Sequence, residues 1–145
     1  MQIDIQIRNW RYYGRIWRLR SFCQNVIQNA WQGDEKAEVS LVLADDAFVQ
    51  NLNKQYRHKD KPTNVLSFEN EGLLAGDIVV AYQTTLREAR AQGISFRAHL
   101  AHLLTHGTLH LQGYDHLTDK QAQKMEKLEV QLLAKLGYQN PYKEI

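Results

Sequence analysis

The chain has 145 residues and a formal net charge of +2, a length that fits one domain burying about two-thirds of the surface its unfolded form exposes. The lone cysteine, Cys23, excludes an internal disulfide and fits a reducing compartment. No apolar run approaches the roughly 18–20 residues that cross a bilayer, and residues 1–9 alternate isoleucine with polar side chains instead of forming the apolar region of a signal peptide. A cytoplasmic protein with no membrane association is the expectation.

Ile3, Ile5 and Ile7 alternate with polar residues and predict a half-buried strand. Arg8, Arg11, Arg15, Arg18 and Arg20 follow, interleaved with Trp10, Tyr12, Tyr13 and Trp17. Guanidinium groups grip phosphates and rings stack on bases, so the mixture suits single-stranded nucleic acid. The simpler expectation is a solvated turn and helix start whose rings pin it to the core. Phe22, Val26, Ile27 and Ala30 predict a helix from near Leu19 to Trp31, and the apolar run Val39–Ala44 a strand covered on both faces. Asp45 or Asp46 caps a helix through Phe48, Leu52 and Tyr56. Arg57 to Asn64 reads as a charged loop, Val65–Phe68 as a short strand, the Glu-Gly stretch after it as a turn, and Asp77–Ala81 as another strand.

The rest of the chain is helical. A helix over Tyr82–Gln92 stops at Gly93, and a second opens at Ser95 and ends at Gly113. Thr118 and Gln121 form a capping-box pair that starts a third, with Met125, Leu128, Leu132 and Leu136 on one side and Gly137 at its end. The order predicts one α+β (mixed α/β) domain over 1–145, a small four-stranded mixed sheet packed by about five helices.

Five of the six histidines lie between His99 and His116. Helical residues four apart sit about 40° apart, so His102, His106 and His110 stack along one stripe bordering the apolar one. Zinc–nitrogen bonds are about 2.0–2.1 Å, whereas helical positions eight apart are separated by about 12 Å, so these three cannot share an ion. Gly113 decides which pair does. It lets the chain leave the helix through a left-handed turn and bring His116 back beside His110. His106, His110 and His116 are therefore the expected metal ligands, holding one zinc ion with a fourth position open, as in catalytic zinc sites. His99 and His102 are expected beside the site or facing solvent, and His58 in solvent.

The spacing invites comparison with the metzincin proteases, H-E-x-x-H-x-x-G-x-x-H. The histidines and glycine match, but position 107 is glycine where those proteases carry the glutamate that activates water. Gly107 lies on the apolar side of its helix, where the missing side chain permits close packing. Peptide or amide hydrolysis by that route is disfavoured.

The segment His106-Gly107-Thr108-Leu109-His110-Leu111-Gln112-Gly113-Tyr114-Asp115-His116 resembles the signature H-G-x-L-H-L-x-G-Y-D-H of the YbeY endoribonucleases, a bacterial and organellar family. Tyr56 to Phe68 resembles its Y-R-x-x-D-x-P-T-[DN]-V-L-S-F block, Gly76-Asp77-Ile78 its G-D-I/L strand, and Leu136-Gly137-Tyr138 its C-terminal end. The resemblance runs over residues 35 to 142. It departs at Glu69, where many members have proline, at the short loop after it, and in the Arg-rich stretch, which matches no family motif.

The resemblance implies a zinc ion on the three histidines and cleavage of single-stranded RNA. It further implies a role in ribosomal RNA (16S) maturation and ribosome quality control, with the small subunit and assembly factors as partners. The family's invariant arginine falls on Arg57. A guanidinium fork matches phosphate oxygens bidentately, which makes Arg57 the expected catalytic residue; the alternative is a structural ion pair with Asp60 or Asp77. Lys59 and Lys61 are candidate RNA contacts. Asp115 is expected to orient a ligand N–H rather than to serve as general base. A ribosome-assembly factor with structural zinc is the competing reading.

Overall fold

A computed structural model describes residues 1–8, 10, 16–70 and 74–142. The isoleucine alternation builds β1 (Gln2–Ile7), and the helical periodicity after it builds α1 (Ile16–Ala30), which begins three positions ahead of the expected start at Leu19. β2 (Glu38–Ala44), α2 (Asp46–Arg57), β3 (Val65–Glu69) and β4 (Leu74–Ala81) follow, and then α3 (Tyr82–Gln92), α4 (Phe96–Leu111) and α5 (Asp119–Lys135). The turn expected after β3 falls on residues 71–73, which lie outside the described residues, as do Arg11, Tyr12, Tyr13, Arg15 and the side chain of Trp17.

The sheet order is β1-β2-β4-β3. β1, β2 and β4 run parallel, and β3 returns antiparallel along the edge of β4. Parallel neighbours need crossovers: α1 carries the chain from β1 to β2, and α2 with β3 carries it from β2 to β4. Among the described residues the fold is a single α+β domain with a mixed four-stranded sheet and five helices.

Alternate residues of a strand face opposite sides, and both sides here are covered. Val39, Leu41, Leu43, Ile78 and Val80 join Leu19, Val26, Leu100 and Leu104 in the main core under α1 and α4. Val79, Leu66 and Ala44 face the other way, onto Val49 and Phe48 of α2. The continuous apolar reading of β2 thus has its explanation in two cores.

The helix ends follow their local signals. Asp45, not Asp46, caps α2 by accepting from the Phe48 amide, Ser95 caps α4 by accepting from Ala98, and both bonds of the Thr118/Gln121 capping box form. Asp46 instead accepts from the Thr84 amide and hydroxyl, tying α2 to α3. α4 is buried nearly all round, a pattern of central helices; it touches α1, α3, α5, β3 and β4. At the described positions of the Arg/aromatic stretch, the core-pinning reading holds. Trp10 is buried, donates its indole N–H to the Ala44 carbonyl at 2.7 Å and packs edge-on to Tyr82 and Phe96. Arg8 lies over the Phe48 ring, and Arg20 donates to the Ile5 carbonyl.

Candidate metal centre and the cleft around it

His106 and His110 stand one turn apart on the last two turns of α4, half-buried. Gln112 ties this helix end to α1 by donating to the carbonyls of Ala30 and Thr108 and accepting from the Gln32 amide. Gly113 then takes φ 91°, a conformation open to glycine and costly for other residues, and the chain folds back to present His116. One nitrogen from each of His106, His110 and His116 lies within 4.8 Å of the others, and the ring centroids are 4.6–5.6 Å apart. His102, the upper member of the stripe, turns away toward α5. Among the described residues this is the group able to hold a metal.

Ligation needs neutral imidazoles. The basicity of His110 is lowered, first by burial and then by His106 and His116 beside it, with Asp115 acting the other way. Three imidazoles lining a cleft, His110 among them with lowered basicity, fit the donor set of a metal such as zinc.

A carboxylate that sequence reasoning missed stands behind them. Glu129 of α5 has no exposed surface. Its Oε1 lies 2.5 Å from His106 Nδ1, and its Oε2 lies 3.2 Å from His102 Nε2 and accepts from the Tyr142 hydroxyl. Burial alone would raise its pKa, but the hydrogen bonds from His102, His106 and Tyr142 outweigh burial and hold it at about 2. The Tyr142 phenol is pushed up in turn, by burial and by that carboxylate. One signal was available: Glu129 lies four residues after Met125 and three before Leu132, on the apolar stripe of α5, where a solvated glutamate does not belong.

Asp115, expected to orient a ligand, accepts from the His116 backbone amide at 2.8 Å and lies 4.0 Å from His116 Nδ1. His99 is neither beside the cluster nor in solvent: it is buried, with Nε2 2.8 Å from Glu88. His58 is exposed and ends α2 in the left-handed region at φ 57°. Gly107 sits against the sheet as its position on the apolar side predicted; a Cβ there would come within 3.1 Å of Ile78 Cγ2 and of Ser67 Oγ.

The opposite wall of the cleft is the end of α2 and the loop after it. Arg57 donates to the Ser67 carbonyl at 2.9 Å and lies over the Phe68 ring. Neither proposed acid partner engages it; Asp60 is 3.9 Å from Lys54 and accepts from Gln50. Buried Asn53 organises the loop, its carbonyl accepting from the Lys59 amide and its side chain donating to the Lys61 carbonyl. Arg57, Lys59 and Lys61 line one cleft of about 990 Å³ together with His106, His110, His116 and Tyr142.

Residues 5–137 match the family described as Endoribonuclease YbeY. Curated relatives carrying that name include one from Methylocella silvestris, 51% identical over 83% of this chain and 72% of its own. Another, from Sinorhizobium medicae, is 50% identical over 77% of this chain and 71% of its own, and one from Vesicomyosocius okutanii is 47% identical over 86% and 88%. A solution structure of a Thermotoga maritima protein is similar in fold, with a TM-score of 0.58 at 24% identity, covering 99% of this chain and all of the other.

Proposed function

The chain belongs to the endoribonuclease YbeY family, and on that premise we propose that it is a zinc-dependent endoribonuclease of single-stranded RNA, acting in the cytoplasm on ribosomal RNA. Its place would be maturation of the small-subunit RNA (16S) and ribosome quality control, in contact with the small subunit and assembly factors. One observation carries the chemistry: three histidines able to share an ion and an arginine with two lysines line the same cleft.

His106, His110 and His116 would hold the metal. When bound, zinc supplies a Lewis acid for a phosphoryl oxygen and lowers the pKa of water. Arg57, steadied by the Ser67 carbonyl and the Phe68 ring, grips the phosphate and stabilises the negative charge that develops there. Lys59 and Lys61 attract the neighbouring phosphates of a single strand, whose affinity then falls with salt. A three-histidine donor set suits a catalytic metal, which would act on an RNA strand lying in the cleft.

Cleavage of a labelled single-stranded ribosomal RNA fragment tests this, with zinc content assayed for wild type, His110→Ala and Arg57→Ala. The expected result is that His110→Ala loses both zinc and cutting, while Arg57→Ala keeps zinc and stops cutting. Equal cutting by all three preparations would assign the activity to a contaminant and favour an assembly factor with structural zinc.

A further inference from the structure

We propose that Glu129 is the positioning residue of the histidine cluster, fixing which nitrogen of His106 faces it, and that Tyr142 extends this hold to the C-terminal segment. The inference rests on reading the three histidines as a metal site.

Glu129 lies on the inner face of α5 among Met125, Leu132 and Leu133, where an apolar side chain would pack at no electrostatic cost. A buried carboxylate is expensive unless its lone pairs are met. Here they are met from three directions. An ionised carboxylate only accepts, so the 2.5 Å contact to Oε1 is donated by His106 Nδ1–H. The lone pair of His106 is thereby placed on Nε2, the atom left to ligate. A carboxylate or carbonyl behind a ligating histidine sets its tautomer and raises its basicity.

The second oxygen, Oε2, is held by His102 Nε2 at 3.2 Å and by the Tyr142 hydroxyl, and these two are 3.0 Å from each other. His102 occupies the stripe position one turn before His106 on α4. Tyr142 comes from beyond α5 and also lines the cleft. The network therefore joins α4, α5 and the C-terminal segment at the back of a single ligand.

The first readout needs neither metal nor RNA. Nitrogen-15 spectra of the histidine rings in metal-free protein should show His106 as the Nδ1–H tautomer in wild type and as a mixture in Glu129→Gln. The second readout is zinc affinity by chelator competition. Glu129→Gln is expected to bind zinc about 10–100-fold more weakly. Tyr142→Phe, which removes one hydroxyl from a half-exposed ring, is expected to weaken it about 2–5-fold. A merely structural glutamate would lower the melting temperature of the metal-free protein and leave tautomer and zinc affinity unchanged, and that result overturns the proposal. Should Glu129→Gln not fold, unchanged zinc affinity in Tyr142→Phe overturns it equally. If wild type itself takes up no zinc, the metal-site reading fails, and the ring spectra still decide whether Glu129 holds His106.

Discussion

On one side of the cleft His106, on a helix that touches α1, α3, α5, β3 and β4, is backed by a carboxylate with no solvent exposure. On the other side Arg57, Lys59 and Lys61 are exposed, and Asn53, Ser67 and Phe68 hold them through backbone atoms and one ring face. The histidine wall keeps its geometry through a buried polar network in which each member depends on the others. The basic wall keeps loop shape and leaves its charged tips in water. Substitutions on the first wall should therefore disturb stability and metal together, and those on the second should disturb RNA alone.

Arg57→Ala is the strongest test of that separation. Cleavage is expected to fall about 10²–10³-fold, as when one donor to developing charge is removed, while urea midpoint and zinc content stay at wild-type values. A fall in stability alongside activity would join the two walls. Gly107→Leu attacks the histidine wall from behind, pressing a side chain onto Ile78 and Ser67. Overpacking of this kind costs about 1–3 kcal/mol, read by urea unfolding; a neutral outcome would mean α4 can lift off the sheet without loss.

Lys61→Ala should act by charge alone. The slope of log affinity against log salt for single-stranded RNA is expected to shrink by about 0.7, with zinc content unchanged. An unchanged slope would remove Lys61 from the RNA path. The smallest effect tests how closed the core beneath α4 is. Burial pushes the Cys23 thiol up to about 12, with Arg97 partly offsetting it. The raised value keeps the thiol protonated, and iodoacetamide reacts with thiolate. Alkylation of the native protein should therefore stay negligible between about pH 7 and pH 9, and that of the unfolded chain should rise. Matching pH profiles would show that this core opens readily.

Most of the helix boundaries were legible because their causes are local. Ser95, Gly93 and the Thr118/Gln121 pair act on amides and dihedrals within a few residues, and a sequence window contains all the partners. The convergence of His106, His110 and His116 was legible for the same reason: one helical turn and one glycine turn define it. The all-round burial of α4 was less so. Its histidines suggested a polar border, with His99 beside the site or in solvent, yet His99 is buried, as are Thr105 and Thr108. Thr108 donates to the Leu104 carbonyl and His99 pairs with Glu88, partners that a sequence window does not reveal for His99. For Arg57 the alternative of an ion pair with Asp60 or Asp77 does not form; its partner is a backbone carbonyl of β3, which acids in the sequence do not point to.

By itself, then, the sequence determined the element types, most of the capping residues, the three-histidine cluster and the family, all of which depend on spacing over short stretches of chain. Only the tertiary structure decided that β2 pairs with β4 past β3, that α2 and α4 cover opposite faces of the sheet, and that Glu129 reaches His106 across 23 residues. Those outcomes depend on which surfaces exclude water from one another and on which buried charge finds donors. Both are properties of the assembled core, and no local window holds them.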